Sequence, residues 1–261
     1  MRSLSVASTG MMAQQLNVEV ISNNIANMTT TGYKLRRPEF QDLLYQSQRR
    51  IGSASSTDGT VVPAGVHLGL GVKTASVYRV HGQGDLVNTE NRYDIAIQGE
   101  GFFVVELPTG ERGYTRSGNF QLSPEGVIVT PDGYTVSPSI TVPRDALEVA
   151  VSQDGQVTAK LQGQVSLQNL GQLELATFVN PTGLEAIGSN LLLETDASGP
   201  ALVGAPASEG LGSVQQGFLE SSNVNPVQEI TALITAQRAY DMNSKVISAS
   251  DEMMATVTQL R

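Results

Sequence analysis

The sequence predicts an α+β chain: paired N- and C-terminal coiled-coil-like helices plus a β-rich, antiparallel central domain. Three observations carry this. Residues 4–28 hold an apolar seam, residues 232–260 hold two seven-residue repeats, and the stretch between them alternates apolar and polar residues between turn signals.

At the start, Leu4, Ala7, Met11, Gln14, Val18, Ile21, Ile25 and Met28 step by three and four, and Gln14 alone is polar. The spacing predicts a helix from 3 to about 28, roughly 40 Å long. Thr29, Thr30, Thr31 and Gly32 end it, because β-branched residues resist helix and glycine supplies a stop. Pro38 then predicts a short helix carrying Phe40, Leu43, Leu44 and Tyr45. Residues 48–65 lack periodicity and read as a long loop.

From 66 to about 179 the pattern is that of strands. Val72, Thr74, Ser76 and Tyr78 alternate with their neighbours, and apolar runs follow at 94–97, 102–105 and 126–129. Turn signals at Pro108-Thr109-Gly110, Pro124-Glu125-Gly126, Pro131-Asp132-Gly133 and Asp154-Gly155 argue for an antiparallel barrel or sandwich. Residues 181–213, rich in Gly, Ser and Ala, are expected to loop back toward the termini. The last helix opens with Asn225 as N-cap, Pro226 at N1 and Gln228 at N3, and runs to about 260, roughly 50 Å. Leu233, Tyr240, Ile247 and Met254 form one stripe; Ala232, Ala239, Val246, Met253 and Leu260 form another, offset by one residue. Met242 and Ala249 widen the arc beyond what one partner helix needs.

Such stripes signal helices packed on helices. They nominate a subunit interface: Leu4, Ala7, Met11, Val18, Ile21, Ile25, Ile230, Leu233, Ala239, Tyr240, Val246, Ile247, Met253, Met254 and Leu260. Isolated helices are marginal in water, so the ends are expected to order fully only on assembly. The polar residues Gln14, Gln237, Ser244 and Asp251 on these faces either point at solvent or a channel, or fix helix register.

The 261 residues allow one large domain or two smaller ones, and 40% hydrophobic content suffices for a core, built on aliphatic residues because aromatics are 5%. A net charge of −9 argues against nucleic acid as a partner. The charge is uneven. Residues 1–50 hold six basic and three acidic residues, leaving −12 for the remainder. Arg36-Arg37 and Arg49-Arg50 either meet acidic groups on a neighbouring subunit or flank a loop in solvent. The absence of cysteine excludes disulfides and thiolate chemistry. No transmembrane segment is expected, and the polar residues of the first fifteen do not make an ordinary cleaved signal peptide.

No catalytic constellation is present. His67 and His81 do not suggest a metal site, and Gly69-Leu70-Gly71-Val72-Lys73-Thr74 lacks phosphate-loop spacing. Gly82-Gln83-Gly84 and Gly99-Glu100-Gly101 read as turns, and the carboxylates are scattered. The sequence therefore nominates no catalytic residue, metal or cofactor.

Several motifs are specific. Ile21-Ser22-Asn23-Asn24-Ile25-Ala26-Asn27 precedes Thr30-Thr31-Gly32-Tyr33-Lys34. In the middle stand Asp94-Ile95-Ala96-Ile97-Gln98-Gly99-Glu100-Gly101-Phe102-Phe103 and Tyr114-Thr115-Arg116-Ser117-Gly118-Asn119-Phe120. Near the end, Gln216-Gly217-Phe218-Leu219-Glu220-Ser221-Ser222-Asn223-Val224-Asn225 precedes Gln237-Arg238-Ala239-Tyr240 and Asn243-Ser244-Lys245. In this order they resemble the bacterial flagellar basal-body rod and hook family along nearly the whole chain. Chain length and Val66-His67-Leu68-Gly69-Leu70-Gly71-Val72 resemble its distal-rod branch. The matching motif residues include Asn23, Asn24, Asn27, Gly32, Gly99, Gly101, Phe102, Gln237 and Arg238.

The resemblance implies a structural subunit of a rigid hollow shaft in the basal body, crossing the periplasm and transmitting torque. Implied partners are other copies of the chain, proximal rod and hook subunits, the ring bushing and the flagellar type III export apparatus. It implies three layers: helical 1–30 with 225–261 inside, a connecting β-rich linker of 31–85 with 185–224 that includes the 48–65 loop, and a β-rich 86–184 outside. That loop is expected to wedge between subunits and keep the rod straight. The competing readings are a proximal rod or hook subunit, a secreted enzyme with helical ends, and a cell-wall-binding module.

Overall fold

The computed structural model describes residues 2–49, 64–163 and 166–259. The chain divides into two compact units, Met1–Ile25 with Arg36–Tyr78 and Pro226–Arg261, and Ala26–Leu35 with Arg79–Asn225.

The first unit holds both long helices, α1 (Arg2–Ala26) and α2 (Pro226–Gln259), where the apolar spacing puts them. It also holds strands β1 (Arg36–Asp42), β2 (Tyr45–Arg49), β3 (Val66–Gly69) and β4 (Val72–Arg79), with β1 on β4 and β2 on β3. The short helix expected after Pro38 is therefore corrected to strand. Arg37 precedes a proline, which disfavours helical backbone there. The Asn24 side chain accepts from the Arg36 N–H and donates to the Arg36 carbonyl, both at 2.9 Å, and holds that residue extended. Arg36, Pro38 and Phe40 are then half-buried at every second position, while Leu44 is 84% exposed. Of the 48–65 loop, 50–63 lie outside the described residues.

In the second unit every described strand pairing is antiparallel. Two hairpin-like pairs join distant segments: β5 (Leu86–Asn88) with β20 (Phe218–Glu220), and β6 (Ile95–Gln98) with β19 (Ser213–Gln216). β7 (Phe102–Glu106), β8 (Arg112–Thr115), β9 (Gln121–Leu122), β10 (Ile128–Val129) and β11 (Thr135–Val136) build the largest sheet. β12 (Ala146–Val151), β13 (Gln156–Leu161) and β14 (Gln168–Gln172) form a separate meander. β15 (Leu175–Thr177) returns to β7.

β7 is the organising strand. Phe103 and Val105 enter one core with Ile97, Phe120, Val157 and Leu175. Phe102 and Val104 enter a second with Tyr114, Phe178 and Leu192. Side chains alternate across a strand, so an unbroken apolar run serves two buried faces at once. The four predicted turns close as the sequence indicates: Gly110, Gly126, Gly133 and Gly155 each donate to a carbonyl three residues back.

Residues 181–213 carry three short strands set among turns and loops. β16 (Glu185–Gly188) and β17 (Leu191–Leu193) extend the large sheet onto β8, and β18 (Leu202–Gly204) pairs with β15. Between β16 and β17 stand only Ser189 and Asn190, both with positive φ (49° and 59°), the geometry of a tight two-residue hairpin. The small residues of this region are turn residues, and Leu191 and Leu192 supply the buried face.

Candidate functional site: the helix pair and the buried ionic node

Within the first unit, α1 and α2 meet in antiparallel order along small and polar residues. Asn24 donates to Glu229 Oε2 at 3.0 Å. A Cβ added to Gly10 would stand 3.0 Å from Asn243 Nδ2, so this glycine permits the close approach of the two helices. Ser250 donates to Ser3 Oγ at 3.3 Å. These three pairs share one register, which sets Asn17 beside Ala236. On each helix the participants recur every seven residues: Ser3, Gly10, Asn17 and Asn24; Glu229, Ala236, Asn243 and Ser250. Asn24, Ala236 and Ser250 are buried, at 1%, 2% and 3% exposure.

Asn24 thus holds three groups at once: both backbone groups of Arg36 and the Glu229 carboxylate. It ties α1, α2 and the start of β1. Thr9 makes a second tie in the same unit, where its hydroxyl accepts from the Val72 N–H at 3.3 Å.

The predicted interface residues flank this seam or turn away from it. Ala7 and Ile21 are buried; Leu4, Met11, Val18, Ile25, Leu233, Ala239, Ile247 and Met254 are half-buried. Ile230, Tyr240, Val246 and Met253 are exposed, and Leu260 lies outside the described residues. Met12, Val227, Ile234 and Met242 add to the exposed set. Gln237, Ser244 and Asp251 face solvent, so the seam residues are their neighbours one position earlier, Ala236, Asn243 and Ser250. Gln237 and Tyr240 line a surface groove with Gln15, Val18, Glu19 and Asp241.

The second unit carries a buried ionic node. Glu220 accepts from Lys34 Nζ at 2.6 Å and Arg116 Nε at 2.5 Å, and also from the Gly84 N–H at 2.9 Å. Lys34, Arg116 and Glu220 are 7%, 7% and 1% exposed. Burial alone pushes the Glu220 pKa up, but the two cations and their hydrogen bonds outweigh it and hold the carboxyl below its ordinary range. Three further Arg116 donors reach the carbonyls of Ile97, Gly99 and Gly101. Lys34 also donates to the Gly82 carbonyl at 2.9 Å.

The node pins 26–35 within this unit. The Gly32 N–H donates to the Glu220 carbonyl at 2.8 Å. Gly32 has φ +68°, and a Cβ there would sit 2.9 Å from the Arg116 backbone, so the position demands glycine twice over. Asn223 accepts from the Leu35 N–H and donates to the Val80 and Gly82 carbonyls. Asn27 accepts from the Thr30 hydroxyl in the turn leading there. Phe102 packs edge-to-face on Phe178 and His81.

Sequence reasoning missed the node itself. Lys34, Arg116 and Glu220 each stand in one of the motif runs, yet 186 residues separate the first from the last. The Gly-x-Gly pairs read as turns were the available signal, because Gly84, Gly99 and Gly101 present backbone groups to the node. Asn23 and Arg238, two further motif residues, are exposed on α1 and α2. Among the described residues there is no cluster of His, Cys, Asp and Glu able to hold a metal, and no helix is long and apolar enough to cross a membrane.

Three family descriptions match in chain order. Residues 4–34 match the flagella basal body rod protein family, 96–159 the flagellar hook protein FlgE/F/G D1 domain, and 215–260 the C-terminal region of flagellar basal body rod FlgEFG proteins. The chain is 56% identical over 261 residues to the flagellar basal-body rod protein FlgG of Caulobacter vibrioides, covering 100% of both chains. It is 49% identical to that of Agrobacterium fabrum, covering 99% of both. It is 36% identical to that of Bacillus subtilis, over 100% of this chain and 99% of the other.

Proposed function

We infer the function from kinship: the chain belongs to the flagellar basal-body rod proteins, and it is a structural subunit of that rod, most like its distal part. We propose that its copies polymerise into a rigid, hollow shaft that crosses the periplasm toward the outer membrane and passes motor torque to the hook. In this reading the chain catalyses nothing. Its neighbours are further copies, proximal rod and hook subunits and the surrounding ring bushing, and it is delivered by the flagellar type III export apparatus. The inner layer is 1–30 with 225–261, the connecting layer 31–85 with 185–224, and the outer layer 86–184.

The observation that carries the reading is the division of labour on the helix pair. The named contacts between α1 and α2 use small and polar residues; Val20 and Ile21 are buried as well, and a further set of large apolar residues is left exposed. Met12 is 68% exposed, Ile230 50%, Met242 61% and Met253 61%. Exposed apolar area of this kind marks a surface made to be covered, and stripes on both helices suit several neighbouring copies. The interface residues from Leu4 to Leu260 are assigned to those contacts.

The test is incorporation. A chain with Met12, Ile234 and Met242 changed to Ser is expected to remain folded, to be exported, and to fail to build rod or restore swimming. Normal rods from that variant would contradict the reading. Deleting 48–65 is expected to give a bendable rod, and an unchanged stiff rod would remove that segment from the account.

A further inference from the structure

Beside the ionic node lies a cavity of about 380 Å³, walled by Lys34, His81, Phe102, Arg116, Phe178 and Pro181. Its size falls within the range of small-molecule sites. Three features set its chemistry.

The first is charge. Lys34 and Arg116 bring two positive charges to Glu220's single negative one, and all three are buried. A net positive charge out of water is costly unless an anion meets it. The second is donor capacity. Lys34 has three N–H groups and two are engaged. Arg116 has five and four are engaged. Both ring nitrogens of His81 are buried and neither makes a hydrogen bond of full geometry; the Pro181 carbonyl stands near enough only to act weakly on the ring. The spare groups on the two cations are donors alone, and neutral His81 adds one more N–H. The third is the apolar part of the lining, where Phe102, in edge contact with His81, and Phe178 supply surface.

We propose that this cavity is a binding site for a single organic carboxylate, its oxygens held by Lys34, Arg116 and His81 and its apolar part lying against Phe102 and Phe178. One carboxylate neutralises the excess charge and takes up the spare donors. Glu100 lines the mouth and is exposed; its own carboxylate competes with the ligand. The carboxylate comes either from a free small molecule or from an acidic side chain of a second copy. The site goes beyond the rod function, which does not require it.

His81 reports on the site. Its pKa is lowered to about 4 by burial first, then by Lys34, Arg79 and Arg116, with the Pro181 carbonyl acting the other way. A carboxylate beside the ring favours the charged form and raises that value. The chain has two histidines, so the ring signals of His81 and His67 are separable by nuclear magnetic resonance.

The experiment titrates benzoate, then acetate, into dilute full-length chain at constant ionic strength. Saturable movement of the His81 signal and a raised His81 pKa, with His67 still, support a free carboxylate ligand. Lys34→Met is expected to weaken benzoate at least about tenfold, the equivalent of one lost charged hydrogen bond. Glu100→Gln, at the exposed rim, is expected to tighten it and serves if the Lys34 variant does not fold. If the dilute chain ignores both acids, but His81 moves on self-association and the assembled chain still excludes benzoate, the carboxylate belongs to a second copy. A His81 signal that responds to neither ligand nor assembly overturns the proposal.

Discussion

The two units use apolar residues in opposite ways. In the β unit, the largest side chains turn inward: Phe103, Val105, Val157 and Leu175 are fully buried. In the helix pair, the seam runs through Gly10, Asn24, Ala236, Asn243 and Ser250, of which Asn24, Ala236 and Ser250 are buried, while Met12, Ile234 and Met242 face out. The β unit buries two apolar clusters by itself and leaves scattered residues such as Leu147, Leu167 and Val179 exposed. The helix pair sets its register through polar and small residues and leaves a large part of its hydrophobic surface exposed for others. The contrast teaches that register and stickiness reside on separate faces of the same helices. Polar pairs set how α1 meets α2, and apolar stripes are free to meet neighbouring copies.

The sharpest break falls on the β unit. Glu220→Ala leaves Lys34 and Arg116 buried without their carboxylate, and should cost about 3–5 kcal/mol. Denaturant unfolding of the full chain, followed by tyrosine fluorescence, measures it; a loss below 1 kcal/mol, roughly that of an exposed pair, would detach the node from stability.

Acidity gives the next largest effect. The folded pKa of His81, about 4, lies below its ordinary 6.5. The unfolded chain therefore binds a proton first, and the contribution is full above 6.5 and lost as pH falls through 4. The loss is on the order of 3 kcal/mol. Glu220 acts in the same direction lower down, because its depressed carboxyl stabilises fully above 4.5 and ceases to do so as pH falls through its folded value. In carboxylate-free buffer, His81→Gln should flatten the upper part of the stability–pH curve and leave the lower part in place.

Asn24→Ala should cost about 1–3 kcal/mol, through the unmet Arg36 backbone groups. The comparison sharpens if, in the assembled chain, amide exchange quickens in α1 and β1 while β7 keeps its protection. The smallest effect on folding is expected from Met12→Ser, Ile234→Ser and Met242→Ser, each within about 0.5 kcal/mol, although together they abolish assembly.

Most of this contrast was legible in the sequence. The seven-residue stripes located both helices, and Phe102-Phe103-Val104-Val105 marked a strand buried on two faces. The seam was not legible in the same way. Apolar periodicity points to surfaces that water disfavours, and here those surfaces face away from the intramolecular contact. Gly10, Asn243 and Ser250 carry little hydrophobic signal, and their pairing appears only when two helices more than two hundred residues apart are laid antiparallel. The helix expected after Pro38 failed for a related reason. Leu43, Leu44 and Tyr45 mimic helical spacing, but Asn24 and the pre-proline geometry at Arg37 hold the chain extended. The node escaped notice because each of its ions sits alone within its own motif, and burial made them a group.

Amide hydrogen exchange on the full-length chain, dilute and then assembled, tests the central claim most directly. The account predicts rapid exchange through α1 and α2 in the dilute monomer, slow exchange in β7 and β8 in both states, and helix protection arising on assembly. Strong protection of residues 3–28 in the dilute monomer, unchanged by assembly, would contradict it.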